Sequence, residues 1–234
     1  MFNNFFETFN RIFIQGKAYN LLLQGLEYTL IIALCAVVIG IALGTLLAVC
    51  KVLPRKGFFP KLLNALANIY ITVVRGTPVA VQLLLFYFGI FATAFRGNPY
   101  KALMIAILVF GLNSAAYVAE IIRGGIHSID KGQMEAGRSL GLSYGATMKS
   151  IVLPQAIKNI LPALGNEFIV LIKETSVAGF ITVFDLTRAA RAIVADYYEA
   201  FVPYLVLAAV YLVLVLGATA LLNLLEKRMK KSEH

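Results

Sequence analysis

YTLIIALCAVVIGIALGTLLAVC, residues 28–50, is a stretch of 23 residues without a charged side chain. A helix of about 20 such residues is long enough to cross the roughly 30 Å hydrocarbon core of a bilayer. Glu27 and Lys51 stand directly on either side of the stretch, as expected where a helix reaches the polar membrane interfaces. Residues 28–50 therefore predict a transmembrane helix.

Three further uncharged stretches are long enough to span a membrane, namely residues 76–95, 102–119 and 200–225. The apolar run at 62–74 is too short to span alone, and we expect it to lead into the second span. Residues 151–184 are apolar but interrupted by charges, and we interpret them as a fifth span that is broken near its outer end. The interrupting residues are Lys158, Glu167, Lys173 and Glu174. The chain is thus predicted to be an all-α membrane protein with five transmembrane helices.

The composition supports membrane embedding. Of the 234 residues, 60% are apolar and 14% are charged, whereas soluble domains have about 45–50% and about 25%. A chain this short could not bury that apolar excess in a soluble core. The net charge of +9 does not indicate nucleic-acid binding, because the charges lie between long apolar runs instead of on one solvated face.

The distribution of lysine and arginine predicts the orientation. Five spans put the two termini on opposite sides of the membrane. With the N-terminus outside, the inner segments hold 13 of the 21 basic residues and the outer segments hold 7. Because basic residues are enriched in cytoplasmic loops, we predict that the N-terminus is outside and the C-terminus inside.

The first 20 residues predict an amphipathic helix that lies on the outer membrane interface. Such a helix buries its apolar face at the boundary between headgroups and acyl chains. The apolar side chains recur at helical spacing, at Phe2, Phe5, Phe6, Phe9, Ile12 and Phe13. A frayed chain terminus is the alternative, and the residues alone leave it open.

The longest polar stretch, residues 123–150, is cytoplasmic in this orientation. Residues 134–141 are mostly small and predict a short helix. Ser143 is expected to cap a following helix, and Pro154 suits the first turn of the next span. A short helix with a surface of small residues allows another backbone to approach closely, which suggests a docking element for a cytoplasmic partner. A simple connector is the alternative.

Part of this stretch resembles the EAA loop of bacterial ABC importer permeases. That motif is E-A-A, three residues, G, nine residues and I-x-L-P, and the spacing fits throughout. The matching residues are Glu135, Ala136, Gly137, Gly141, Ile151, Leu153 and Pro154. The one departure is Gly137, where the motif has its second alanine. Glycine weakens a helix by about 1 kcal/mol relative to alanine, but we expect it to keep the docking surface small.

Four other stretches resemble permeases for polar amino acids: RGTP at 75–78, AYVAEIIRGG at 116–125, NEFI at 166–169 and KETS at 173–176. The likeness covers residues 25–225. It implies one transmembrane permease domain over 1–234 in the bacterial inner membrane, with a coupling loop at 124–153. It also implies a dimer with an identical or paralogous permease, two ATPase subunits docked on the loops, and an extracytoplasmic binding protein that delivers the amino acid.

Ionisable side chains inside a membrane are costly and indicate functional sites. Glu167 lies nine residues after Lys158, about 13 Å further along a helix, which places it near the membrane midplane. Arg75 ends a short apolar helix just before residues 76–78, where Pro78 is expected to break or kink the backbone. Broken helices near the midplane are where transporters form polar sites.

These residues suggest how an amino acid could be bound. Arg75 and backbone amides near Thr77 would hold its carboxylate, and Glu167 would hold its ammonium group or a cationic side chain. Further hydrogen bonds would come from Asn113, Tyr117 and Asn166. The alternative is that Arg75 and Glu167 join neighbouring helices, for example by pairing with each other. Glu120, three residues before Arg123, is expected to form a structural ion pair.

Two other classes of protein compete with this interpretation. A stand-alone secondary transporter would favour internal repeats and more spans, and the sequence has no evident repeat. An intramembrane enzyme would need a catalytic constellation, but the two histidines, His127 and His234, lie outside the spans and no G-x-S-x-G occurs. The sequence also lacks a G-x-x-x-x-G-K-[ST] run, so a partner must bind ATP. We therefore expect no catalytic residue, metal site or cofactor in this chain.

Overall fold

The structure is a computed structural model that describes residues 2–52 and 57–231, and the regular elements in these residues are helical. The prediction of an all-α protein is confirmed. The helices are α1 (Phe2–Phe9), α2 (Tyr19–Val52), α3 (Phe58–Arg75), α4 (Val79–Leu84), α5 (Lys101–His127), α6 (Lys131–Ser139), α7 (Tyr144–Thr147), α8 (Leu153–Glu174), α9 (Leu186–Tyr197) and α10 (Phe201–Lys231). Wider π-type turns extend α1 over Asn10–Gln15, α4 over Leu85–Ile90 and α7 over Met148–Val152, and a 3-10 helix, Thr175–Ile181, follows α8.

Three of the described helices are long and apolar enough to cross a membrane: α2, α5 and the Phe201–Arg228 part of α10. They overlap the predicted spans at 28–50, 102–119 and 200–225. α8 has 22 residues, which is enough to cross a bilayer, but its charged side chains set it apart from these three. The count of five spans stays a prediction.

The second predicted span, residues 76–95, is wrong as a continuous helix. α3 ends at Arg75, and Pro78 has an extended backbone with φ −63° and ψ 135° before α4 begins. The helical segment Val79–Ile90 has only 12 residues, too few to cross a bilayer alone. The expected break at Pro78 is confirmed, and only together are α3 and Val79–Ile90 long and apolar enough to cross a membrane.

Two compact units divide the chain, and each gathers three separate stretches. The first comprises Met1–Ala36, Pro78–Phe110 and Ile169–Thr219. The second comprises Val37–Thr77, Gly111–Phe168 and Ala220–His234.

The core of the first unit joins the N-terminal segment to α9. Its buried members include Ile12, Phe13, Ala18, Leu22, Leu186, Ala189, Ile193 and Val202. Asp185 caps α9 by accepting hydrogen bonds from the backbone amides of Thr187 and Arg188, at 3.0 and 3.2 Å. The Thr29 hydroxyl of α2 accepts another from the Leu186 amide at 3.2 Å. The predicted N-terminal helix is present in the described residues, whereas its position at a membrane interface stays a prediction.

Glycines let the helices of the second unit pack closely. A Cβ atom on Gly40 would lie 2.6 Å from the hydroxyl of Ser114, and one on Gly44 would lie 2.7 Å from Val118, so α2 and α5 approach closely there. The Tyr70 hydroxyl donates a 2.6 Å hydrogen bond to the carbonyl of Leu112, which ties α3 to α5. Close approach at small residues is typical of helices packed inside membranes, and here it holds the middle of α5 in place.

Candidate functional site

Glu167 is a buried carboxylate on α8, with 8% of its surface exposed in the single chain. The hydroxyl of Ser114, fully buried on α5, donates a 2.8 Å hydrogen bond to its Oε1 atom. Ser114 was not predicted from the sequence, although it lies next to Asn113 inside a predicted span. A polar side chain among apolar ones in such a span was the signal that could have identified it.

No cation pairs with Glu167 among the residues that the structure describes. The ion pairs in this part of the chain both involve Glu120, which binds Lys51 and Arg123. The suggested pairing of Arg75 with Glu167 is therefore wrong for this structure. A buried charge that lacks a counter-ion is unfavourable, so Glu167 is suited to receive a positively charged group from outside the chain.

Arg75 lies at the end of α3, where its guanidinium carbon is 5.1 Å from the centre of the Tyr117 ring on α5. This distance allows a cation–π interaction. The Thr77 hydroxyl donates a 2.9 Å hydrogen bond to the carbonyl of Val73 and so closes the last turn of α3. The structure thus brings together Arg75 and Tyr117, two of the predicted site residues, while both Arg75 and Thr77 remain exposed in the single chain.

Asn113 and Asn166 differ in their surroundings. Asn113 is buried on α5, with 3% of its surface exposed, and it is four residues before Tyr117, so the two share a helix face. Asn166 is exposed although it precedes Glu167, because successive residues of a helix point about 100° apart. The two residues are neighbours along the chain, but their side chains leave α8 in different directions.

The expected ion pair of Glu120 is confirmed and is larger than the sequence indicated. Glu120 accepts hydrogen bonds from Arg123 at 2.8 and 3.1 Å, and Lys51 from the end of α2 pairs with it as well. Lys51 lies 69 residues away in sequence, so only the packing of α2 against α5 could reveal this partner.

The predicted docking helix is present as α6. Asp130 caps its start by accepting a 2.6 Å hydrogen bond from the amide of Gly132. Ser143 caps α7 in the same way, as predicted, with a 3.2 Å bond from the amide of Ala146. Gly141 has a φ of +84° between the two helices, a conformation that glycine adopts without steric cost. Pro154 occupies the first turn of α8, also as predicted.

The exposed surface of this loop differs from the predicted one. Glu135 and Ala136 are exposed, and so is Leu140, with 82% of its surface accessible in the single chain. Gly137 is buried, so the expectation that it keeps a docking surface small is wrong. A Cβ atom at Gly137 would lie 2.5 Å from Cγ2 of Thr147, which means that this glycine allows α6 to pack against α7.

Gly137→Ala will destabilise the loop by about 1–3 kcal/mol, because overpacking forces neighbouring groups to move. Thr147→Ala removes the methyl group that the new Cβ atom would meet, so the double variant will recover most of this loss. Thermal unfolding of the purified chain measures all three variants in a double-mutant cycle. Additive effects of the two substitutions would contradict the contact.

The sequence of residues 40–231 matches the family described as binding-protein-dependent transport system inner membrane component. The chain belongs to this family. The permease is similar to the arginine transport system permease protein ArtQ of Bacillus subtilis (strain 168), with 40% identity over 91% of this chain and 94% of the relative. It is also similar to the glutamine transport system permease protein GlnP of Escherichia coli (strain K12), with 38% identity over 91% and 94%.

Solved structures agree with the family. A crystal structure of an amino acid ABC transporter with histidines has a chain that is 42% identical, with a TM-score of 0.84 over 93% of this chain and 98% of that one. An inward-facing structure of the MetNI methionine ABC transporter, at 20% identity and a TM-score of 0.68, shares the fold. The permease is therefore the translocation subunit of an ABC importer in the bacterial inner membrane. It is not an enzyme, since ATP hydrolysis belongs to a partner subunit, and the two competing classes are excluded.

Proposed function

We propose that this permease carries a basic or polar L-amino acid and that Glu167 recognises it. The observation that supports the proposal is the buried Glu167 carboxylate, which Ser114 holds by a hydrogen bond and which has no ion-pair partner among the described residues. The ammonium group or basic side chain of an amino acid would supply the missing positive charge. The relatives named for arginine and glutamine agree with such a substrate.

Arg75 and the backbone amides near Thr77 would bind the substrate carboxylate. Stacking of Arg75 on Tyr117 leaves the edge of the guanidinium group free for the two parallel hydrogen bonds that suit a carboxylate. Asn113 and Tyr117 would contribute further hydrogen bonds from α5. Asn166 would contribute only to a ligand that reaches the exposed side of α8.

The loop at residues 124–153 would couple the permease to its motor. In this proposal five spans cross the membrane, with the N-terminus outside and the C-terminus inside. The chain would pair with a second permease, identical or paralogous, above two ATPase subunits and below an extracytoplasmic binding protein. Each ATPase would contact the exposed Glu135, Ala136 and Leu140. The remaining motif residues, Gly137, Gly141, Leu153 and Pro154, would support α6 and connect it to α8.

Transport would then follow an alternating-access cycle. ATP binding draws the two ATPases together, and the docked loops pass this motion to the spans. The spans move the site around Glu167 from inward- to outward-facing, and hydrolysis resets it. In this cycle the loops transmit motion and take no part in the chemistry of ATP hydrolysis.

Competition uptake tests the proposed substrate class. In cells that contain the importer, uptake of labelled arginine will be reduced by excess unlabelled arginine, lysine, histidine or glutamine, and unaffected by leucine or aspartate. Cells that lack this permease give the background uptake of labelled arginine. Competition by leucine as strong as that by the polar amino acids, or no ATP-dependent uptake of any of them, would contradict the proposal.

A further inference from the structure

We propose that a groove beside α6 binds an anionic phospholipid of the cytoplasmic leaflet. Two cavities of about 380 and 270 Å³ lie in the second unit, at the ends of α2 and α5. Residues that line both cavities are Val52, Ile126, Tyr144 and Met148. The two cavities therefore adjoin, and we call them the head cavity and the chain cavity of one groove.

The head cavity carries basic side chains among apolar ones. Lys51, His127 and Lys131 line it, together with Asp130. The Asp130 carboxylate is engaged in capping α6 through the amide of Gly132. Lys51 pairs with Glu120, but an ammonium group has three N–H donors and can bind a second anion. The charge and the free donors of this cavity suit a phosphate group.

The chain cavity differs from the head cavity in its charge. It continues from the shared residues along α2 and α5 to the start of α8 and contains no charged side chain. Its other lining residues are Thr45, Ala48, Val49, Ile122 and Leu153. A free phosphate ion would leave this cavity unused, and a hydrocarbon alone would not use the basic side chains of the head cavity. One ligand that satisfies both has an anionic head and an acyl chain.

The groove lies at a level of the membrane where such a ligand is present. Lys51 directly follows the uncharged residues 28–50, so the head cavity lies where α2 leaves the hydrocarbon. Basic pockets between transmembrane helices at the cytoplasmic side bind anionic lipid headgroups. The assignment of this end to the cytoplasm rests on the proposed function, because α6 would face the ATPase. A lipid in the groove would contact Lys131 and Met134 of α6.

Native mass spectrometry of the full-length permease, titrated with phosphatidylglycerol or phosphatidylcholine, tests the proposal. We expect tighter binding of phosphatidylglycerol. Lys131→Gln will weaken it about fivefold, the effect of one basic residue at an anionic headgroup. Lys149→Gln is the matched control, because Lys149 is exposed on the same loop but does not line the groove. Val49→Trp, which narrows the chain cavity, will also weaken binding.

Glycerol 3-phosphate, added at the concentration of the lipid, distinguishes a lipid from a free phosphate. It will leave the bound phosphatidylglycerol in place, because it lacks the acyl chain. Equal binding of the two lipids, equal effects of Lys131→Gln and Lys149→Gln, or displacement by glycerol 3-phosphate would overturn the proposal. So would loss of the lipid on assembly with the ATPase, since a protein would then cover the groove. None of these outcomes bears on transport, so failure here is separable from failure of the proposed function.

Discussion

Glu167→Gln will reduce the uptake of a cationic amino acid by about a hundredfold or more. Removing one partner of a buried charge pair costs about 2–5 kcal/mol, and each 1.4 kcal/mol is about tenfold. Glutamine keeps the size of the side chain and an oxygen that can accept the 2.8 Å hydrogen bond from Ser114, so the packing of α5 on α8 will remain. Initial rates of labelled arginine uptake into proteoliposomes that contain the assembled importer measure the effect.

Glu27→Gln is the matched control, since Glu27 is an exposed carboxylate just before the 28–50 stretch. It will transport at the wild-type rate. Ser114→Ala will give a smaller loss, about tenfold, because it removes one hydrogen bond to a charged group, and this loss will be larger for arginine than for glutamine. Both site variants will co-purify with the ATPase as the wild type does. Wild-type uptake by Glu167→Gln would refute the substrate role of Glu167.

Glu135→Lys will uncouple the importer and lower ATP-dependent uptake by about tenfold or more. Glu135 is exposed on α6, beside Ala136. At the proposed docking surface, a reversed charge would repel the groups of the ATPase that are complementary to a carboxylate. Substrate binding will be unchanged, because Glu135 lies on α6 and none of the residues proposed to bind substrate is on that helix. The yield of ATPase that co-purifies with the permease measures docking. The rate of ATP hydrolysis with substrate measures whether the importer still responds to substrate.

Gln133→Lys controls for the added charge. Gln133 is exposed on the same helix, two residues before Glu135, and its side chain accepts a 3.3 Å hydrogen bond from Gln155 of α8. Residues two apart point about 200° apart around a helix, so the new lysine would lie on the opposite face. If Gln133→Lys uncoupled transport as strongly as Glu135→Lys, the face of α6 that carries Glu135 would not be the docking surface.

Much of the fold could be predicted because the local pattern is strong. Uncharged runs of 18 to 26 residues have few structures open to them in a bilayer other than a helix, and α2, α5 and α10 contain or overlap three of them. The wrong prediction of one continuous helix at residues 76–95 has a local cause as well. Pro78 was recognised as a break, but the apolar run around it was still assigned to one span.

The candidate site could be predicted only in part. Glu167 and Arg75 were identified because charges inside apolar segments are rare. Ser114 was missed because serine is common and carries no charge. Gly137 was assigned to the docking surface because the motif has an alanine at this position. Neither glycine nor alanine indicates which side of a short helix packs against another element.

The amino-acid sequence alone is enough to establish a helical membrane permease, because the length of an uncharged run and the spacing of a motif are both properties of consecutive residues. Tertiary structure was needed for three pairings: Ser114 with Glu167, Lys51 with Glu120, and Gly137 with Thr147. The first two join residues 53 and 69 positions apart. Such pairs depend on how helices rotate and approach when they pack, and that arrangement results from the summed contacts of many side chains.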